Sequence, residues 1–182
     1  MQAVLKASDA VLASDADTLF LDRDGVINRW LPGDYVRTWD QFAFLPGIQE
    51  CLRKWAAKFR HILVVSNQRG VGKGKMTQAE LEAVHARMQA EISAAGGRID
   101  AIYTCTEQAP EHPMRKPQTG MFQAACRDFP DIVPERSLML GDSEYDREFA
   151  ANCGMPFVRM ETADLTLRFR EAASSDSSGS PA

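Results

Sequence analysis

The chain has 182 residues, 45% of them hydrophobic and 25% charged, enough for about one compact domain and too little for two comfortable ones. Its 21 Lys and Arg against 25 Asp and Glu give a formal net charge of -4, so no strong overall positive field recruits nucleic acid or an anionic membrane. The four cysteines form no Cys-x-x-Cys pair, and a core of this size needs no disulfide, so a reducing, cytoplasmic setting is expected.

Residues 1–17 carry Asp9, Asp15 and Asp17 where a secretory signal would have a basic start and an apolar run, so export is not expected. No stretch of about 18 apolar residues occurs, so no membrane span is expected either. The first strand is predicted at Thr18-Leu-Phe-Leu-Asp22. Pro46 and Gly47 then open a helix with Ile48, Leu52, Trp55 and Phe59 on one face, and His61-Ile-Leu-Val-Val-Ser66 follows as a nearly all-apolar strand. Thr77 and Glu80 have capping-box spacing and start a second helix with Leu81, Val84, Met88, Ile92 and Ala95 inward, stopped by Gly96-Gly97. A third strand ends at Cys105 and a third helix is expected over about 119–129. The strand Ser137-Leu-Met-Leu-Gly-Asp142, a helix over about 144–152 ended by Gly154, and a last strand over 156–160 complete the order. The alternation β-α-β-α-β-α-β-α-β predicts an α/β fold, a parallel sheet covered by crossover helices. The expected domain spans residues 1–171. The Ser-rich segment 172–182 is too poor in large apolar groups to offset the entropy of ordering it. Cys51, Cys126 and Cys153 read as small buried groups, and His61 and His85 as structural residues outside the chemistry.

In a parallel sheet, ligands gather at the carboxyl ends of the strands. The apolar runs end there in Asp22-Arg-Asp-Gly-Val-Ile-Asn28, Ser66-Asn-Gln68 and Gly141-Asp142-Ser-Glu-Tyr-Asp146, and Arg115-Lys116-Pro117 precedes the third helix. Asp22, Asp24 and Asp142 on one sheet edge would repel one another unless a cation joined them, and all-oxygen ligation suits Mg²⁺. The Ser66 hydroxyl, the Asn67 backbone amide and the Lys116 ammonium add donors suited to a phosphoryl group. Asp146 has two readings, a residue supporting the metal or the exposed face of a helical turn. Gly25 lets the chain leave the strand sharply after Asp24.

These four motifs, in this order, resemble the signatures of the haloacid dehalogenase superfamily of phosphatases. Leu21-Asp-Arg-Asp-Gly-Val-Ile-Asn28, Phe44-Leu-Pro-Gly47 and Arg115-Lys-Pro-x-x-Gly-Met121 are similar to its histidinol-phosphate and heptose-bisphosphate phosphatase branch, subfamily IIIA. The resemblance implies a Rossmann-like three-layer sandwich without a large cap domain and a Mg²⁺-dependent phosphomonoesterase. It further implies Asp22 as the nucleophile that forms an aspartyl-phosphate, and Asp24 as acid and base, which asks for surroundings that raise its pKa. Asp22, the Asp24 carbonyl and Asp142 would hold Mg²⁺; Ser66, Asn67 and Lys116 would steady the phosphoryl group; Arg69 and Arg115 would meet substrate. A small phosphorylated sugar is the expected partner, heptose bisphosphate first and histidinol phosphate second. Trp30, Tyr35, Arg37 and Trp39 would form part of its wall.

The branch commonly carries a zinc loop of Cys-x-His and Cys-x-Cys before Arg-Lys-Pro. Here the stretch from Cys105 to Met114 retains one cysteine and one histidine, Cys105 and His112, a poor tetrahedral set that argues against zinc. The Gly-rich segment 69–75 fails the P-loop pattern in both registers. It is either a flexible loop before Thr77 or the place where Arg69, Lys73 or Lys75 meets a second anionic group. Two rival readings are a receiver-like signalling module, disfavoured by the order of its acidic residues, and a nucleic-acid 3′-phosphatase, disfavoured by the absence of a basic stripe.

Overall fold

A computed structural model describes residues 1–161 of the chain; the expected disordered segment 172–182 lies outside the described residues. The elements are α1 (Gln2–Ala13), β1 (Thr18–Leu21), α2 (Ile48–Lys58), β2 (His61–Asn67), the single turn α3 (Arg69–Gly72), α4 (Gln78–Ala94), β3 (Ala101–Cys105), α5 (Gly120–Asp128), β4 (Ser137–Gly141), α6 (Glu144–Cys153) and β5 (Phe157–Arg159). The five strands form one parallel sheet in the order β3-β2-β1-β4-β5. β1 lies at its centre, with Leu21 opposite Val64 on one side and Leu140 on the other.

Side chains alternate across a strand, so the apolar runs feed two cores. Leu19, Leu21, Ile62, Val64, Leu138 and Leu140 face α1, α2 and α4. Phe20, Leu63, Val65 and Met139 face α5 and α6. This is the three-layer α/β arrangement expected from the doubly apolar strands. Between β1 and α2, and between β3 and α5, the described residues form loops and one 3₁₀ turn (Trp39–Gln41), so no cap domain is inserted there.

Two differences from the sequence reading concern packing. Residues 2–13 form a helix that was not anticipated: Val4, Ala7 and Val11 recur at helical spacing, are buried, and pack against α2 and β5. Lys58 secures its end by donating Nζ to the Leu12 carbonyl at 2.7 Å. Cys126 is only half-buried, unlike Cys51 and Cys153, because the helix turns it to the margin of the α5 core. No helix among the described residues is long and apolar enough to cross a membrane.

Candidate active site

The carboxyl ends of β1, β2 and β4 supply one cluster, because all three strands run the same way and are adjacent. Asp22 continues the ladder beyond β1, donating its amide to the Leu140 carbonyl at 3.0 Å. Ser66 and Asn67 end β2, and Asp142 follows β4. Lys116 enters from the loop after β3. Its backbone is clamped by Asn67, whose Oδ1 accepts from the Lys116 amide at 3.0 Å and whose Nδ2 donates to the Lys116 carbonyl at 3.1 Å. The Asn67 side chain thus orients the lysine, a role the motif alone did not disclose.

The Lys116 ammonium is buried and donates to Val65 O at 2.8 Å and Asp146 Oδ1 at 2.5 Å, with Asp22 Oδ1 at 3.0 Å. Burial pushes its pKa down, but Asp146 and Asp22 outweigh that and raise it. The two carboxylates fare differently. Burial, opposed by Lys116 and assisted by Asp146 and Asp24, pushes Asp22 up to about 6. Burial acts on Asp146 too, but Lys116 and hydrogen bonds from Ser143 hold it below the usual carboxylate range. The shorter contact and the extra donors explain the split: Asp146 Oδ2 accepts from the amides of Asp142 and Ser143 and from the Ser143 hydroxyl.

Of the two readings of Asp146, the exposed helical face is therefore excluded, since the residue is completely buried. Ser143 and Asp146 form a capping box at the start of α6, and the Ser-x-x-Asp spacing that marks it was present in the sequence. Carboxylate oxygens of Asp22, Asp142 and Asp146 all lie within 4.8 Å of one another. The expected trio had Asp24 in place of Asp146.

Asp24 is turned elsewhere. Arg23 Nη2 donates to both of its oxygens, at 3.0 and 2.9 Å, Asn28 Nδ2 donates to Oδ1 at 2.9 Å, and Gln68 Nε2 donates to Oδ2 at 2.8 Å. Burial pushes this carboxyl up, yet Arg23 and these hydrogen bonds prevail and hold it below its usual range. That corrects the expectation of surroundings that raise its pKa, and the cause is Arg23, whose side chain is 1% exposed and folds back over its neighbour. Gln68 also donates to Ser66 Oγ at 2.9 Å, linking the two motifs. His85, read as structural, lies 3.0 Å from Arg23 Nη1 through Nε2.

Gly25 adopts φ +89°, and a Cβ there would sit 1.8 Å from Asp142 Oδ2. The glycine is needed both for the left-handed turn and for the approach of β4's carboxylate. Gly25→Ala is expected to lower kcat by about 10²-fold, since a displacement of roughly 1 Å at a site costs that much. Steady-state kinetics beside a thermal melt would check this; full activity in the folded variant would contradict it.

Arg115 is buried and donates Nη1 to the Gln108 carbonyl. Gln108 Nε2 in turn donates to Gly72 O at 2.6 Å, so this arginine ties its loop to α3. Arg69 is half-buried and its side chain makes no hydrogen bond or ion pair among the described residues. The segment from 69 to 72 is a helical turn rather than a plain loop, packed so that a Cβ on Gly70 would meet the Tyr35 ring at 2.8 Å. Trp39 stacks on Phe42, with centroids 4.8 Å apart, and Arg87 lies over its ring. Cys105 Sγ and His112 Nδ1 are 3.7 Å apart, and the same Nδ1 accepts from the Met114 amide at 3.3 Å.

A family model described as polynucleotide kinase 3 phosphatase matches residues 19–163. The D-glycero-alpha-D-manno-heptose-1,7-bisphosphate 7-phosphatase of Mycobacterium bovis is 42% identical over 135 residues, covering 74% of this chain and 71% of that protein. The D-glycero-beta-D-manno-heptose-1,7-bisphosphate 7-phosphatase of Rhodopseudomonas palustris is 34% identical over 158 residues, covering 81% and 85%. The sheet and its helices superpose on the crystal structure of D,D-heptose 1.7-bisphosphate phosphatase from B. bronchiseptica, complexed with magnesium and phosphate. That match has a TM-score of 0.72 and 24% identity, over 85% of this chain and 99% of that one. The family match runs from β1 past β5, and Asp22 directly follows the central strand, so this chain belongs to the polynucleotide kinase 3 phosphatase family, a haloacid dehalogenase-like family of phosphatases.

Proposed function

We propose that the chain hydrolyses the 7-phosphate of D-glycero-D-manno-heptose 1,7-bisphosphate, with Asp22 as nucleophile. The observation that carries this reading is the pairing of Asp22 with the buried Lys116 ammonium, 3.0 Å away, at the mouth of the central strand. The names of relatives that share 34–42% of its residues support the substrate.

The metal reading rests on the donor set. Three buried carboxylates that can bring oxygens within 4.8 Å of one another offer hard ligands only, which suits Mg²⁺ rather than zinc. Asp22 and Asp142, with the Asp24 carbonyl, would hold the ion. Both oxygens of Asp146 are already engaged by Lys116 and the α6 cap, which favours an organising role for it. When bound, Mg²⁺ would offset the repulsion between Asp22 and an incoming phosphate.

An Asp22 oxygen then forms the bond to phosphorus while the ester P–O bond breaks, giving an aspartyl-phosphate and an alkoxide. Lys116, Ser66 and the Asn67 amide would stabilise the charge on the transferring group. Asp24 passes a proton to the alkoxide and then takes one from the water that attacks phosphorus, as the Asp22 O–P bond breaks and inorganic phosphate leaves with the Asp22 carboxylate restored. The low pKa of Asp24 suits the second step. For the first, a phosphate dianion beside it raises its affinity for a proton, as any neighbouring like charge does. Arg69 and Arg115 remain the candidates for substrate contact, Arg69 more directly because its guanidinium makes no hydrogen bond or ion pair among the described residues, whereas Arg115 is held by the Gln108 carbonyl. The loop over 106–119 is tied by Arg115, Gln108 and His112, which supports a fold without zinc. Four free cysteines support a reducing, cytoplasmic setting.

A phosphate-release screen would test the substrate: both anomers of the heptose bisphosphate, histidinol phosphate and a 3′-phosphorylated oligonucleotide, each with Mg²⁺. The heptose esters are expected to give the highest kcat/KM. Preference for the oligonucleotide would transfer the reading to the activity for which the matching family model is described.

Magnesium binding is expected to depend on pH through Asp22. Its folded pKa of about 6 exceeds the unfolded 3.8, so the folded protein without metal holds the proton more tightly and loses stability as pH rises through that window. Mg²⁺ needs the ionised form, so the rise in melting temperature that it produces should grow between pH 5 and 7.5. A rise independent of pH would contradict the assignment of Asp22 as a ligand.

A further inference from the structure

We infer that His85 is a positioning residue for Asp24, acting through the buried guanidinium of Arg23. This rests on the reading of Asp24 as the proton donor to the leaving group. Arg23 is wedged between the two: Nη1 faces His85 Nε2 at 3.0 Å, and Nη2 forks onto both Asp24 oxygens at 3.0 and 2.9 Å. Its Nε has no hydrogen-bond partner among the described residues. A planar guanidinium is rigid, so the point that anchors Nη1 fixes the plane, and the plane decides how Nη2 meets the carboxylate.

Arg23 can only donate, so His85 Nε2 must accept, and the ring is neutral with its proton on Nδ1. Burial and the Arg23 charge favour that form, pushing the imidazole pKa down to about 4. The ring is held by α4, a 17-residue helix begun by the Thr77–Glu80 capping box. Its helical neighbours Leu81, Val84 and Met88 are buried. An apolar side chain would fill that position in the core as well. What histidine adds is an acceptor, and the group that uses it is one bond network away from Asp24 and 62 residues away in sequence. Asn28 and Gln68 hold the other sides of the carboxylate, so loss of the Arg23 anchor would tilt Asp24 without releasing it.

A tilted acid harms an ester whose alkoxide must be protonated far more than one whose leaving group departs as a stable anion. The test is the first-turnover rate of leaving-group release from the heptose bisphosphate and from p-nitrophenyl phosphate, in His85→Leu, His85→Gln and Asp24→Asn proteins. His85→Leu is expected to slow the sugar ester by about 10–100-fold with KM unchanged, and p-nitrophenyl phosphate by no more than about 3-fold. His85→Gln, whose Oε1 can accept from Arg23, should recover most of the loss. Equal losses on both esters, or a glutamine no better than leucine, would overturn the inference. His85→Met gives the same readout if the leucine protein does not fold. Asp24→Asn separates the two levels. If it fails to discriminate between the esters, the acid role of Asp24 falls and the inference with it; if it discriminates and His85→Leu does not, only the inference falls.

Discussion

Lys116→Met is expected to destabilise the metal-free protein by about 3–5 kcal/mol, the usual cost of removing one partner from a buried ion pair. The methionine fills similar space, so the loss is electrostatic. Asp22 and Asp146 would be left buried side by side without the ammonium that now touches both, at 3.0 and 2.5 Å. Urea unfolding at neutral pH in the presence of chelator measures it. Adding Asp146→Asn should return part of the loss by removing one of the two stranded charges, and turnover should stay low in both proteins because the phosphoryl group has lost its cation. A single-variant loss below about 1 kcal/mol, the size of an exposed pair, would contradict this placement of charge.

Asp22→Asn separates stability from chemistry. Turnover should fall by about 10⁴-fold or more, as for the loss of a nucleophile elsewhere. Stability without metal should hold or rise at pH 7, because the substitution removes an anion whose pKa burial has pushed up to about 6. The added stability from Mg²⁺ should shrink at the same time. Steady-state kinetics and paired melts with and without the ion read all three. An asparagine protein with activity within about 10-fold of the parent would remove Asp22 from the reaction.

The proposed catalytic edge was legible because parallel strands end together: Asp22, Ser66 and Asp142 each terminate an apolar run, and the sheet brings those ends into one place. Lys116 was legible only through its motif, since a loop residue has no periodicity to locate it. The sandwich followed from strands apolar on both faces. Residues 2–13 were missed because Ala7 and Ser8 are small and the apolar stripe is thin, so its burial depends on α2 and β5 rather than on its own pattern. Asp146 was undecided although Ser143 stood three residues before it; which way a capping carboxylate faces is settled by Lys116, 30 residues away. Arg23 and His85 were beyond reach for the same reason. An arginine between two aspartates looks solvent-bound in sequence, and only the packing of α4 against the loop after β1 turns it inward.

The interior of this site is thus a chain of compensated charges. Lys116 serves Asp146 and Asp22; Arg23 serves Asp24; His85 serves Arg23 without competing for the charge. Of Asp22, Asp24 and Asp146, Asp22 is the least compensated, and under the proposed function that leaves it the one of the three with most to gain from a cation and from forming a bond to phosphorus.

The formation of that bond can be observed by quenching the enzyme during turnover of the heptose bisphosphate, reducing with borohydride, and locating the product by peptide mass spectrometry. Homoserine should appear at position 22, only in samples with substrate and Mg²⁺, and be absent from the Asp22→Asn protein. Substrate turnover at the full rate with homoserine at Asp24, at Asp142 or at no aspartate would contradict Asp22 as the group that carries the phosphate.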